Sequence, residues 1–109
     1  MTTGNTDAIR ALNDQLRRNL SPNDGTALIT PGVAALGDDV VARIFKTIAV
    51  YDNFCNANDP YEEHDFGALD VDGHTIFFKI DLYEEPNVKD PNGTSVVNRV
   101  ITIMLAEEY

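Results

Sequence analysis

Apolar residues recur at Ile9, Leu12, Leu16 and Leu20, three or four apart, so they fall on one side of a helix predicted over about Thr6 to Leu20. Asn5 or Thr6 is placed to cap its first turn, Asp7 suits the positive end of the dipole, and Arg17 and Arg18 suit the other end. Arg10–Asp14 and Asp14–Arg18 are spaced as i,i+4 pairs, and acids interleave the arginines, so these read as the solvated back of the helix. Ser21 to Gly25 is a turn by composition, and a short strand over Thr26–Thr30 stops at Pro31-Gly32. A second helix opens at Gly37-Asp38-Asp39 and runs to about Tyr51, with Val40, Val41, Ile44, Phe45 and Ile48 as its apolar stripe.

The period then changes from helical to alternating. Two strand-like runs, Asp65–Val71 and His74–Tyr83, flank Asp72-Gly73, a pair that tolerates the two positive φ angles a tight hairpin turn needs. A loop over Glu84–Ser95 and a last strand over Val96–Leu105 follow, leaving Glu107, Glu108 and Tyr109 as a tail. The two-residue turn sets the register: Val71 faces His74, Leu69 faces Ile76, Gly67 faces Phe78 and Asp65 faces Ile80. That side is almost wholly apolar. The other side pairs Asp70 with Thr75, Ala68 with Phe77, Phe66 with Lys79 and His64 with Asp81.

These elements predict one α+β domain over residues 1–109, with two helices packed on one face of a three- to four-stranded antiparallel sheet. Its core should join Leu69, Ile76, Phe78, Ile80 and Ile103 to Ile9, Leu12, Leu16, Val41, Ile44 and Ile48.

Charge changes this picture more than composition does. Residues 1–51 hold five acids and five bases; residues 52–109 hold thirteen acids and three bases, and so carry the entire net charge of −10. Nucleic-acid binding by counterion release requires clustered Lys and Arg, so direct binding is not expected. No apolar run is long enough for a membrane span, and the N-terminus lacks the pattern of a signal peptide. A single cysteine, Cys55, makes no internal disulfide, which together points to a cytoplasmic protein.

Candidate chemistry is sparse. Cys55 has no neighbouring base in the sequence to activate it, and no stretch matches a calcium-binding loop. Neither a metal nor a cofactor is expected. The best constellation is the polar side of the hairpin, where His64, Asp81 and Lys79 gather beside Phe66 and Phe77. It reads as a cross-strand ion pair, or as an acid–base pair of a small hydrolase or nuclease.

Ile9-Arg10-Ala11-Leu12-Asn13-Asp14, Thr30-Pro31-Gly32-Val33-Ala34-Ala35-Leu36, Glu63-His64-Asp65-Phe66-Gly67, Phe78-Lys79-Ile80-Asp81 and Leu105-Ala106-Glu107-Glu108-Tyr109 are landmarks of a recognisable kind. From about Ala8 to Tyr109 the chain resembles a small family of uncharacterised bacterial proteins, a domain of unknown function common in alphaproteobacteria and often carried on plasmids and other mobile elements. Relatives favour an aromatic pair ending in Trp where this chain has Phe77-Phe78. The resemblance implies a mobile-element setting and no substrate.

The expected function is therefore a small acidic mobile-element protein that binds and inhibits a host defence complex, of anti-CRISPR or anti-restriction type. Its partner would be a basic protein, or the surface such a complex offers to nucleic acid, occupied by carboxylates in place of phosphates. Asp59, Glu62 and Glu63 lead into the first hairpin strand while Glu84 and Glu85 leave the second, so these acids should converge opposite the turn, with His64, Asp65 and Asp81 at the edge of the rim. An oligomeric regulatory or structural module using Phe66 and Phe77, and the enzyme using His64 and Asp81, are the alternatives.

Overall fold

A computed structural model describes residues 3–89, 91, 93 and 95–109. Helix α1 spans Thr3–Asn19, strand β1 Thr26–Ile29, helix α2 Pro31–Ala34 and helix α3 Asp38–Ala49. Strands β2, Phe66–Val71, β3, His74–Lys89, and β4, Ser95–Leu105, follow, and a single 3-10 turn, Ala106–Glu108, closes the chain. The class is α+β, with a four-stranded sheet in the order β1-β4-β3-β2.

The hairpin register stands as expected. Val71 pairs with His74, Leu69 with Ile76, Gly67 with Phe78, Ala68 with Phe77 and Phe66 with Lys79. The Ile80 amide donates to the Asp65 carbonyl at 2.8 Å, which carries the same register one pair further. Asp72 and Gly73 take φ of 52° and 83°, so both central residues are left-handed, a geometry glycine adopts at no steric cost. Gly67 is needed for a different reason. A Cβ there would collide with the rings of Phe78 and Tyr51, so the absent side chain is the space those rings occupy.

Three expectations about the elements need correction. The sheet is mixed, because β1 runs parallel to β4, with Thr26 opposite Val100 and Ile29 opposite Ile103. No turn joins these two strands, so nothing local in the sequence dictates their relative direction. There is a third, short helix: Thr30 caps α2 by accepting from the Val33 amide, and Pro31 fits its first turn, where no amide donor is needed. The stretch expected as a loop from Glu84 is largely strand, since β3 runs on to Lys89 and β4 begins at Ser95, with a register shift between Glu85 and Lys89. The tail is tied back to the fold. The Glu108 carboxylate accepts from the Thr30 hydroxyl at 2.6 Å, the Gly32 amide at 3.1 Å and the Leu105 amide at 2.8 Å.

The core joins Leu16, Ile44 and Ile48 to Val33, Tyr51, Val71, Ile76, Phe78, Ile80, Ile101 and Ile103, with Val41 and Leu69 partly buried against it. Ile9 and Leu12 are not in it, and Leu12 is 49% exposed. Helix α1 is turned so that Asn13, Leu16 and Arg17 point inward, and Arg17 is 2% exposed instead of lying on a solvated back. The helix also starts at Thr3, so Asn5 and Thr6 lie inside it and do not cap it. The inward polar residues belong to a network that local periodicity does not reveal.

Candidate binding site around the His64 loop

Residues 50–65 connect α3 to β2, and three buried or half-buried side chains organise them. Tyr51 packs edge-on to Phe54 at 4.9 Å and to Phe78 at 5.3 Å between ring centres, anchoring the start of the connection in the core. The Arg17 guanidinium crosses from α1 and donates to the carbonyls of Ile48 at 2.8 Å and Tyr51 at 2.7 Å. The last carbonyls of a helix have no partner within it, so a buried arginine here serves as a side-chain cap for α3. Arg17 also donates to Asp14 at 2.9 Å and lies 5.4 Å from the centre of the Phe54 ring.

Asp59 closes the other end. Its side chain is 4% exposed, and Oδ1 accepts from the amides of Glu63 and His64, both at 3.0 Å. This bends the backbone sharply, and Glu62 and His64 take φ of 58° and 55°. Strand geometry therefore ends at Asp65, and the His64 side chain leaves the hairpin. Its ring stacks on Phe54 with centres 3.9 Å apart and planes 3° apart, Nδ1 lies 2.8 Å from Asp14 Oδ1, and Nε2 lies 3.7 Å from Asp59 Oδ2. The expected His64–Asp81 pair does not form. A two-residue turn propagates register only while the chain stays extended, and the Asp59 cap interrupts it at His64.

Helix α1 is consequently tied to the connection by a chain of polar contacts, Arg17–Asp14–His64–Asp59. Asn13 adds a hydrogen bond to the Glu63 carbonyl at 2.9 Å and accepts from Arg99 at 2.7 Å, while Arg10 donates to the Glu62 carbonyl at 2.9 Å. The expected i,i+4 pairs are replaced by i,i+3 contacts, Arg10 with Asp7 and Arg17 with Asp14. Burial works against ionised Asp14, yet hydrogen bonds and charge from Arg17 and His64 win and hold its carboxyl below the ordinary value.

Two clefts border this connection. One, of about 390 Å³, is lined by Asp7, Arg10, Cys55, Asp59, Glu62 and His64 with Phe54 and Asn56. The other, of about 260 Å³, is lined by Glu63, Asp65 and Asp81 together with Ile9, Asn13, Ile80 and Leu82. Burial pushes the Asp65 carboxyl up; a backbone hydrogen bond opposes this, and the charges of Asp59 and Asp81 add to it. Lys79 approaches Asp81 Oδ2 at 3.5 Å, but that oxygen is buried and makes no hydrogen bond, so the ion pair leaves it unsatisfied.

The acids expected as one rim thus divide. Glu63, Asp65 and Asp81 come together, Glu62 and Glu84 are exposed, and Asp59 is withdrawn into the structural cap. Glu85 pairs with Val96 in the ladder, and its side chain lies outside the described ones. Phe66 and Phe77 do share a side of the sheet, 5.3 Å apart, and the exposed Tyr109 ring joins them at 5.9 and 5.6 Å. Among the described residues no group of three or more His, Cys, Asp or Glu is arranged to hold a metal ion, and no helix is long and apolar enough to cross a membrane. Sequence reasoning missed Asn13, Asp14, Arg17 and Phe54. The one available signal was that Asn13 and Arg17, four apart, flank the buried Leu16 of the apolar stripe.

A family model described as a protein of unknown function, DUF3768, matches residues 29–108. The chain belongs to this family. No curated protein and no solved structure shows significant similarity to it.

Proposed function

We propose, with membership of that family as the premise, that the chain is a binding protein whose carboxylates occupy a basic surface of a host defence complex, in the manner of an anti-CRISPR or anti-restriction inhibitor borne on a mobile element and acting in the cytoplasm. The observation that carries this reading is the cleft shared by Glu63, Asp65 and Asp81, at the end of the hairpin away from Asp72-Gly73. Burial is the main reason that the Asp65 carboxyl is raised, the charges of Asp59 and Asp81 add to it, and a Lys or Arg side chain from a partner would relieve that repulsion. The net charge of −10 adds long-range attraction to any basic surface.

The enzymatic alternative loses its geometry, because both nitrogens of His64 face carboxylates of α1 and of its own loop, away from Asp81. The aromatic group of Phe66, Phe77 and Tyr109 favours a second reading, in which the outer side of the sheet is the contact surface.

In cells carrying an active restriction or CRISPR system, expression of the chain should raise survival of a targeted plasmid. Glu62→Lys with Glu63→Lys should abolish this protection, and Asp24→Lys should leave it intact. Asp14 is unsuitable as a neutral control because it holds the loop. Loss of protection in Phe77→Ser, with no effect of the charge reversals, would transfer the function to the aromatic side. An absence of protection in every such host would end the inhibitor reading.

A further inference from the structure

The end of α1, strand β1 and α3 enclose an open groove of about 600 Å³ that shares no lining residue with the acidic cleft. Leu20, Ala27, Phe45 and Ala49 give it an apolar lining, with Arg18 and Lys46 alongside. Arg10, Arg17, Arg43 and Lys79 each have a carboxylate partner, whereas among the described residues neither Arg18 nor Lys46 is in an ion pair. In a chain with ten more acids than bases, this is an apolar surface bordered by unspent positive charge. Its complement is an apolar segment bearing acids.

The same chain presents one. Among the described residues β3 beyond Ile80 has β4 as its only strand neighbour, and β4 before Val100 has only β3, since β2 and β1 start at those levels. The two strands continue as an arm whose base borders α1 at Leu82 and Arg99, and on which Leu82, Tyr83 and Val97 are 52%, 53% and 55% exposed. Glu84 is opposite Val97, and by the alternation of a strand it shares a side with Leu82 and with Arg99 opposite Leu82, whose guanidinium is turned to Asn13. Among the described residues both edges of the arm lack a further strand, a state that sheet proteins usually cover.

We propose that the β3–β4 arm of one copy seats in the α1–β1–α3 groove of a second copy, with Leu82 and Val97 against Leu20 and Phe45 and with Glu84 near Lys46 and Arg18. The arm continues the two middle strands of the sheet outward and the groove lies at the β1 edge, so the contact is between chains. The contact joins two different surfaces of the chain: exchanged reciprocally it makes a closed, isologous dimer, and made one way it is heterologous and extends into a chain of copies. The attraction is local, because at physiological ionic strength the repulsion between distant exposed acids is screened over about 8 Å.

Sedimentation velocity on the full chain over a concentration series tests this. The average mass should rise above that of the monomer with concentration. Leu82→Asp should weaken association by roughly tenfold or more, the effect of removing one well-buried aliphatic contact. Lys46→Glu should also weaken it, and the exchange Lys46→Glu with Glu84→Lys should restore it. These positions are exposed, so each variant's urea unfolding should match the parent. A chain that stays monomeric throughout overturns the proposal, as does association indifferent to Leu82→Asp or Lys46→Glu, or a charge exchange that restores nothing.

Discussion

The β2–β3 hairpin and the connection over residues 50–65 meet at Asp65, yet they are held by different physics. In the hairpin each residue's place follows from a turn and from alternation. Gly73 supplies the positive φ, and Leu69, Ile76 and Phe78 then fall on the inner side without help from any other element. In the connection almost every placement depends on a distant polar partner. Arg17, thirty-one residues before Ile48 in sequence, holds its carbonyl, and Asp14, fifty before His64, holds its ring. Apolar burial is non-directional and tolerant, whereas a buried hydrogen-bond network fails as a unit when one member is removed. The comparison separates what is encoded locally from what is encoded only by the assembled fold.

The hardest break is expected in the hairpin core. Phe78→Ala should cost about 3–5 kcal/mol in urea unfolding, as for buried aromatic truncations generally. A loss under about 1 kcal/mol would mean that Phe78 is not the centre of the core. Next comes Arg17→Met, which keeps length and removes every donor; stranding the carbonyls of α3 and the Asp14 carboxylate should cost about 3 kcal/mol. Stability equal to the parent would show that the arginine is replaceable by apolar packing. Gly73→Ala forces a side chain into left-handed backbone and should cost about 1 kcal/mol.

Acid titration sharpens the contrast further. Asp14 has its folded pKa below the ordinary 3.8, so the stability it contributes is complete above that value and is lost as pH falls through its depressed folded pKa. Asp65 has the opposite sign. Its folded pKa is raised, so ionisation disfavours the fold, and the penalty grows as pH rises from 3.8 through the folded value. At pH 7 Asp65→Asn should therefore be slightly more stable than the parent, and Asp14→Asn less stable. In the acid limb, Asp14→Asn should flatten the loss of stability on lowering pH, while Asp65→Asn should steepen it.

The same division explains what could be read from the chain. The hairpin register, the inner positions of β3 and the buried side of α3 were legible because period and turn chemistry act within a few residues. The facing of α1 was not, because Asn13 and Arg17 count as polar in any pattern and turn inward only where carbonyls await them. His64 was misplaced for a related reason. Extended register would put it on the strand, but the Asp59 carboxylate, by accepting two amides, turns the backbone one residue too soon. The direction of β1 was equally hidden, since its partner β4 lies at the far end of the sequence. The candidate acidic cleft was half legible: composition located the charge, and only the fold separated the structural Asp59 from Glu63, Asp65 and Asp81, which line the cleft.

Whether His64 belongs to α1 or to the hairpin decides this comparison, and double-mutant cycles in urea unfolding measure it. The cycle of Asp14→Asn with His64→Gln should give a coupling of about 1 kcal/mol or more, whereas His64→Gln with Asp81→Asn should be additive within about 0.5 kcal/mol. Coupling of His64 to Asp81 with additivity toward Asp14 would put the histidine back on the strand and contradict the account.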